Sequence, residues 1–197
     1  DVYKRQDKRS SFSVHAGPSW YLGRFVGITD RADTYRSDLR KGVAWDVNYL
    51  GQITGRELKF GLGFLYQGSA YKNTHDTGAD KIYMHYMAPQ VALTMVQKHY
   101  QLQFSGGIGY QLYRDKSTVY DKPRKVTMSK FAGNLSLSGE YFLSSHWGAS
   151  ARVNWLASSS ESYSVKYHNV EWDVESPRAG SGYFGQLSLL FGLNYHF

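Results

Sequence analysis

The sequence contains no cysteine and no long apolar run, and these two absences exclude several classes of protein. Without cysteine the chain cannot be a disulfide scaffold, and it offers no thiolate ligands to a metal. No stretch approaches the roughly 18 consecutive apolar residues that a membrane-spanning helix requires. The seven histidines do not recur at the spacing of metal ligands. We therefore predict neither a metal site nor a cofactor.

The chain is rich instead in aromatic residues, glycine and positive charge. It has 17 Tyr, 20 Gly and only four Pro in 197 residues, which suits one β-rich domain. A formal net charge of +7 fits an anionic partner, such as nucleic acid or an anionic membrane surface. The mean hydropathy of −0.49 is typical of a soluble protein. A transmembrane β-barrel has a similarly unremarkable value, because its strands alternate between apolar and polar residues.

The first residues are expected to lie outside the domain. "DVYKRQ", residues 1–6, can be encoded by a sequence that resembles a transposon end used in preparing sequencing libraries. These residues are either not native or part of a solvated charged tail. We predict a tail over residues 1–9 and a single domain over residues 10–197.

Seven segments alternate apolar and polar residues with a period of two, which predicts half-buried β-strands. In one of them Leu58, Phe60 and Leu62 alternate with Lys59 and Gly61. The segments cover residues 11–21, 42–52, 57–71, 100–113, 129–142, 146–156 and 183–197. An eighth segment, 81–97, changes phase near Pro89, where we predict a β-bulge because proline cannot donate to a ladder.

The connections between these segments alternate in length. Four are long, covering about residues 24–41, 72–80, 114–126 and 157–182, and the others are short turns. Short turns at one end and long loops at the other, with an even strand number, are typical of an outer-membrane barrel. The sequence thus predicts an all-β fold: an eight-stranded antiparallel up-and-down transmembrane β-barrel.

The distribution of bulky side chains predicts which strand face meets lipid. The interior of an eight-stranded barrel is only wide enough for its own side chains. Small residues suit that interior, and bulky aromatics are expected outside; a soluble barrel would reverse this arrangement. Aromatic residues also form two expected interfacial girdles. They are Trp20, Tyr66, Tyr110 and Trp155 near the long loops, and Tyr49, Tyr100, Tyr141, Trp147, Tyr195 and Phe197 near the short turns.

The last residues, "GLNYHF", resemble the C-terminal assembly signal of bacterial outer-membrane barrels, with Gly192, Tyr195 and Phe197 at its characteristic positions. Leu190 departs from that pattern, which tends to be polar there. The eight-strand layout is similar to barrels of the OmpA/OmpX type, and "YMAPQVALTM" with "YQLQFSGGIGYQLY" resembles the barrel domain of Bacteroidota outer-membrane proteins. The resemblance implies an integral outer-membrane location with both termini periplasmic. It also implies outer-membrane lipid, lipopolysaccharide and the barrel-assembly machinery as partners.

Five charged residues are expected to face the lumen: Asp46, Lys59, Lys130, Glu140 and Arg152. They would form either a charged conduit or catalytic cluster, or a salt-bridged plug. We favour the plug, because a filled eight-stranded interior leaves little passage.

A lipid-modifying hydrolase would need a serine, a histidine and a carboxylate together. His146 and Ser150 share a face beside a short turn, but no acid is within sequence reach. We therefore name no triad and do not expect an enzyme.

Basic residues in the long loops are candidates for contact with the phosphates of lipopolysaccharide. They are Arg31, Arg36, Arg40, Lys116, Lys122, Arg124 and Lys125. The alternative is an ordinary solvated loop surface.

The last long loop alternates in a way that predicts a protruding β-hairpin. Its alternating apolar residues are Tyr163, Val165, Tyr167, Val170, Trp172 and Val174. The hairpin either binds an extracellular protein by strand addition or caps the barrel mouth.

Together these features predict a structural or interaction role: a membrane scaffold whose surface loops contact lipopolysaccharide or partners. No nucleic-acid partner is expected. The alternatives are a lipid-A-modifying outer-membrane enzyme and a narrow, porin-like solute channel.

Overall fold

The computed structural model describes residues 10–25, 27–30, 32–54, 58–159, 162–167, 170–175 and 183–197. The predicted tail, residues 1–9, lies outside this part of the chain. No helix within these ranges is long and apolar enough to cross a membrane.

Ten strands and one short helix make up the described structure. The elements are β1 (Ser10–Tyr21), α1 (Asp33–Leu39), β2 (Lys41–Thr54), β3 (Leu58–His75), β4 (Gly78–Val96), β5 (Tyr100–Val119), β6 (Lys122–Phe142), β7 (Trp147–Ser159), β8 (Ser162–Tyr167), β9 (Val170–Glu175) and β10 (Tyr183–His196).

Eight of these strands close into an antiparallel barrel, as the sequence predicted. Strands β1 to β7 each pair with the next, and β10 pairs with both β7 and β1 to close the ring. Strands β8 and β9 form the predicted hairpin. It joins the sheet through β8, which pairs with the loop end of β6 at Arg124–Thr127, while β7 pairs with the rest of β6 from Ala132 onwards.

Alternation along the strands turns one face outward as an apolar belt. Phe104, Val91 and Leu137 are about half exposed, whereas their neighbours Ser105, Ala92 and Ser136 are buried in the interior. The girdle residues Trp20, Tyr110, Trp155, Tyr49, Tyr100, Tyr141, Trp147, Tyr195 and Phe197 are all exposed on this outer surface. The barrel therefore presents an apolar outside and a polar inside, which is the reverse of a soluble barrel.

The predicted β-bulge at Pro89 is wrong. Met87 pairs with Tyr110 and Val91 with Gly106, so the register is the same on both sides of the proline. Pairing with β5 is simply interrupted there, where proline lacks an N–H. Met84, Tyr86 and Ala88 all point inward, and the hydrophobic pattern changes phase because the barrel interior itself becomes apolar towards the loop end.

Two of the four predicted long loops are mostly strand. β3 and β4 continue to a two-residue turn at Asp76 and Thr77, and β5 and β6 continue to a turn at Tyr120 and Asp121. Tyr120 and Asp121 have φ values of 47° and 60°, which a two-residue hairpin of matching twist requires at both positions. These strands therefore extend beyond the apolar belt.

The extended strands enclose an apolar core at the loop end, where bulky residues were expected only outside. Tyr21, Tyr71, Tyr113 and Phe184 are buried in it. α1 covers the core with Leu39, which is fully buried. The prediction failed here because this part of the barrel lies outside the belt, where apolar side chains are stabilised by pointing inward.

Candidate functional site

The lumen contains a chain of hydrogen bonds that joins three strands. Arg152 Nη1 lies 3.0 Å from Asp46 Oδ2, and His15 Nδ1 lies 2.7 Å from Asp46 Oδ1. His15 Nε2 lies 2.7 Å from Ser150 Oγ. Asp46, Arg152 and His15 are almost fully buried, so an ion pair between β2 and β7 crosses the barrel interior.

Ser150, His15 and Asp46 stand in the order of a hydrolytic triad. Ser150 Oγ also lies 3.0 Å from Asn194 Oδ1, so its single proton can go either to Asn194 or to His15. The serine is 8% exposed and sits among packed lumen side chains. His15 escaped the sequence analysis because its partners lie on other strands; only the register, which sets His15 opposite Asp46 and Gly192, brings them together.

His146, which the sequence placed on the face of Ser150, lies in the exposed turn between β6 and β7. Its ring stacks on Tyr195 at 5.7 Å between centroids. The prediction that His146 and Ser150 share a face is wrong, because residues 143–146 belong to this exposed turn and Ser150 faces the lumen.

The other predicted lumen charges are also inside the barrel, and Glu140 is joined to this chain of bonds through Asn194, which accepts from Ser150 and donates to Glu140. Glu140 accepts a hydrogen bond from Gln101 Nε2 at 2.6 Å, and its Oε1 lies 2.6 Å from His196 Nε2. Lys130 Nζ lies 2.9 Å from the centroid of the Phe184 ring, a buried cation–π contact. Lys59 is buried near the short-turn end, beside Gln101 and His196.

Amide and hydroxyl side chains fill the middle of the lumen by bonding from wall to wall. Asn134 Nδ2 donates to Asn154 Oδ1 at 3.1 Å, and Gln90 Nε2 donates to Asn134 Oδ1 at 2.8 Å. Asn154 also donates to Gln67 on the far wall. These side chains occupy the path that a solute would take.

A buried acidic pair lies at the loop end of the barrel, on β4 and β5. Arg124 Nη2 lies 3.6 Å from both Asp80 Oδ1 and Asp115 Oδ2. Asp80 also accepts hydrogen bonds from Thr29 Oγ1 at 2.7 Å and from Tyr35 Oη at 2.9 Å. Asp80 thus holds Thr29 and Tyr35, which lie between β1 and β2, over the mouth.

Burial and the neighbouring charge of Asp80 raise the pKa of Asp115 to about 7, and Arg124 offsets part of that rise. Burial likewise raises the pKa of Tyr35 to about 12. Asp115 consequently titrates near neutral pH, well above the usual range of a carboxyl group.

This geometry corrects the assignment of Arg124 as a surface phosphate contact. Its guanidinium faces the interior, donates to Ser117 Oγ at 2.9 Å and also binds the Gly27 carbonyl. The error arose because the segment is a strand rather than a loop, so alternate residues point inward.

Of the remaining basic residues predicted to contact phosphate, two bond to other groups of the protein and three are exposed. Arg36 pairs with Asp33 at 3.8 Å, and Arg40 donates to the Tyr21 carbonyl at 2.9 Å. Lys122 is exposed beside the Tyr120–Asp121 turn, and Arg31 lies outside the described residues. Lys116 and Lys125 are also exposed, and they stand directly opposite each other on β5 and β6.

Lys116 and Lys125 belong to a row of five exposed lysines on neighbouring strands. Each is paired in register with the next across β3, β4, β5, β6 and β8. We call this set the lysine row: Lys72, Lys81, Lys116, Lys125 and Lys166. Lys72, Lys81 and Lys166 could not be recognised from the sequence. The members of the row are up to 94 positions apart, and only the strand register aligns them.

The hairpin of β8 and β9 packs partly onto the barrel mouth. Val165 is buried against the apolar core, and Tyr163 and Val174 pack beside it. Val170 and Trp172 are exposed on β9, which forms the last strand of the sheet. Tyr167 pairs with Arg124 of β6, and the hairpin turn, residues 168–169, lies outside the described residues.

The residues of the proposed assembly signal lie along the seam where β10 meets β1. Gly192 lies opposite His15. A Cβ there would come within 1.9 Å of the Val14 carbonyl oxygen, so only glycine fits. Tyr195 contacts Trp147 at 5.0 Å and stacks on Phe197 at 6.1 Å between ring centroids.

No group of three or more histidine or acidic residues that could hold a metal ion occurs among the described residues.

Comparison with solved structures places the chain among small outer-membrane β-barrels in fold. It is similar to a major outer membrane protein from Thermus thermophilus, with a TM-score of 0.58, 13% identity and coverage of 95% of this chain and 99% of the other. Neisserial surface protein A matches with a TM-score of 0.55, 11% identity and coverage of 95% and 97%. The Escherichia coli outer membrane protease OmpT matches with a TM-score of 0.51, 12% identity and coverage of 98% and 97%.

No protein-family model matches the chain, and no curated protein matches it. At these identities the likeness concerns the fold alone.

Proposed function

We propose that this chain is an integral protein of the bacterial outer membrane with a structural or interaction role. The observation that carries the proposal is the apolar belt around a barrel with a polar interior. Such a belt is stable only in contact with lipid. The strands also extend well beyond the belt at one end, where they end in basic surfaces and a hairpin.

The orientation follows from the same proposal. The long-loop end, with α1, the lysine row and the hairpin, would face outward, and both termini would be periplasmic. The seam aromatics Tyr195 and Phe197 would serve recognition by the barrel-assembly machinery. The resemblance to Bacteroidota barrels is retained as part of this proposal.

Interaction is favoured over solute conduction by the filled lumen. Asn154 bonds to side chains on two other walls, and the Asp46–Arg152 pair spans a second layer. An apolar core then covers the loop end. We expect planar-bilayer conductance close to the bare-bilayer value; discrete, stable channels would instead favour the porin-like function.

A lipid-modifying hydrolase is a second candidate because of the contacts between Ser150, His15 and Asp46. A nucleophilic serine needs a reacting carbonyl about 3 Å away and donors for the developing oxyanion. Ser150 is surrounded by lumen side chains and contacts Asn194, which argues against catalysis. Labelling of the refolded barrel by a fluorophosphonate, lost in Ser150→Ala but not in Ser136→Ala, would establish the enzyme; absence of labelling supports the scaffold.

The partner class proposed for the scaffold is the anionic saccharide and lipid of its own membrane, with an extracellular protein as a further partner for the hairpin. The direct test of membrane insertion is reconstitution. The chain refolded with lipid should float with vesicles and resist extraction by carbonate. A monodisperse chain that stays in solution without detergent would overturn the proposal.

A further inference from the structure

We propose that the lysine row is a binding site for the phosphate groups of lipopolysaccharide, a saccharide anchored in the same membrane as the barrel. This inference rests on the proposed function. It goes further by assigning the binding site to five residues and by stating the chemistry of the ligand.

The first observation is that like charges face each other across four consecutive strand pairs. Lys72 is opposite Lys81, Lys81 opposite Lys116, Lys116 opposite Lys125, and Lys125 opposite Lys166. Directly opposite residues have Cβ atoms about 5 Å apart, and like charges in this position destabilise a sheet. A row of this length therefore lowers the stability of the free protein, and an anion bound along it would offset that cost.

The second observation is that the protein places few of its own carboxylates near these lysines. Among the described residues no carboxylate lies within 4.0 Å of these five ammonium groups; the ion pairs of this region involve inward-facing Asp80 and Asp115. The nearest outward residues along the strands are neutral or basic: Ala70, Thr74, Tyr83, Ala79, Arg114, Thr118, Thr127, Pro123 and Ser164. Only the far end meets an acid, where Lys166 is opposite Glu171.

The third observation is that the row borders a concavity large enough for a ligand. A surface depression of about 660 Å³ is lined by Lys81, Lys116, Lys125 and Lys166, with Thr118 between them. Its lysines converge from four neighbouring strands. The site is thus a concave cluster of charge rather than scattered surface residues.

The strand register gives the row a slope relative to the membrane. Starting at Ser19 on β1, paired residues can be followed from strand to strand through β2, β3, β4 and β5 to Val126 on β6. In the other direction, through β10 and β7, the pairs lead to Ser136, which is ten residues further along β6. Ten residues correspond to about 33 Å of strand, and a strand tilt of about 40° makes this a rise of about 3 Å per strand. The rise is towards the loop end, because Val126 is nearer that end than Ser136.

This slope carries the lysine row from the lipid surface outward. In this series of paired residues, Ser19 on β1 and Tyr71 on β3 are two strands apart. Trp20, in the girdle near the long loops, directly follows Ser19, and Lys72 directly follows Tyr71. Lys72 therefore stands about 6 Å above the girdle, within the headgroup layer of about 5–8 Å. Lys125, three strands further on, stands about 15 Å above the girdle.

A ligand that matches this geometry is anchored in the membrane and carries anionic groups from headgroup level outward. Lipopolysaccharide has that form, with phosphates on its lipid and on its saccharide. A simple phospholipid would contact only Lys72, because its headgroup does not reach further outward. A free polyanion is not anchored in the membrane, so the position of Lys72 at the lipid surface would not increase its affinity.

The test uses the full chain reconstituted in phosphatidylcholine nanodiscs and titrated with purified lipopolysaccharide. A lysine near an anionic membrane surface contributes about fivefold to affinity. Lys116→Gln with Lys125→Gln should therefore weaken binding by about 25-fold at low salt. Lys98→Gln, the same change at an exposed lysine of the short-turn end, should leave binding unchanged.

Two further arms distinguish the ligand chemistry. Dephosphorylated lipopolysaccharide should bind at least tenfold more weakly than the intact form, and inorganic polyphosphate should compete poorly. Equal binding by the double variant, equal binding of the dephosphorylated lipid, or full competition by polyphosphate would each overturn the inference. Wild-type chain that inserts in nanodiscs but binds no lipopolysaccharide overturns the inference alone, whereas failure to insert overturns the proposed function.

Discussion

Arg152 on β7 and Asp46 on β2 form an ion pair across the barrel lumen, with 3.0 Å between Nη1 and Oδ2. Both side chains are almost fully buried. Removing one member of such a pair leaves an uncompensated buried charge, which costs about 3–5 kcal/mol.

We therefore expect Arg152→Met to lower the free energy of unfolding by about 3–5 kcal/mol, measured by urea titration in lipid vesicles. Arg114→Met is the matched control, because Arg114 is exposed on the outer face of β5, and should change stability by about 0.5 kcal/mol or less. Equal losses in the free energy of unfolding for the two variants would show that the Asp46–Arg152 pair does not stabilise the barrel more than an exposed arginine does.

The acidic pair at the mouth predicts a stability that depends on pH. The pKa of Asp115 is about 7 in the fold against an ordinary value of 3.8, so the fold favours the protonated form. Stability is then lost as the pH rises from about 4 through 7. The melting temperature in detergent should fall between about pH 4 and 7 and level off above about pH 8.

Asp115→Asn should remove much of this pH dependence, whereas Asp121→Asn, at an exposed turn, should retain it. An identical pH profile for wild type and Asp115→Asn would contradict the assignment. The hydrogen-exchange protection factors of residues 32–39 should fall over the same pH range, because Asp80 beside Asp115 holds this segment through Tyr35.

Variants at the seam between β1 and β10 can distinguish a residue needed for packing from one needed for recognition by the assembly machinery. A side chain at residue 192 would meet the Val14 carbonyl oxygen and the His15 ring, so Gly192→Val should prevent barrel closure even in detergent. Gly139→Val is the control, since its Cβ would meet only Leu102 Cδ2 at 3.6 Å. Both are assayed by the mobility shift of folded barrel on unheated gels.

Phe197→Ala should behave differently from Gly192→Val. Phe197 is 55% exposed, so the variant should refold in detergent but accumulate poorly in the outer membrane if the residue addresses the assembly machinery. Normal accumulation in cells would remove Phe197 from the proposed signal.

The hairpin of β8 and β9 can be tested with two valines. Val165 is buried against Val126 and its neighbours, while Val170 is 60% exposed. Val165→Asp should release the hairpin and expose β8 (Ser162–Tyr167) and β9 (Val170–Glu175) to limited proteolysis, and Val170→Asp should leave the cleavage pattern unchanged. Protection in both variants would contradict the packing of the hairpin on the mouth.

The period-two pattern predicted the barrel, its closure and the hairpin, because lipid outside and packed side chains inside impose alternation on every strand. It failed at Pro89 and at residues 72–80 and 114–126. There the strands leave the belt, and the same alternation places apolar residues inward.

Contacts between strands distant in sequence could not be read from composition. His15 and Ser150 meet, and Lys72 joins Lys166 in one row, only because pairing fixes which residues are opposite. A correct strand register would have been enough to predict the lysine row.

We propose that the barrel spans the outer membrane with its long-loop end outside. Because the chain has no cysteine, single-cysteine variants at Asp121, Phe104 and Ser145 can be labelled with a membrane-impermeant maleimide without background. Intact cells should label residue 121 at once, residue 145 only after permeabilisation, and residue 104 only after unfolding. Labelling of residue 145 in intact cells, or ready labelling of residue 104 in the folded protein, would contradict the account.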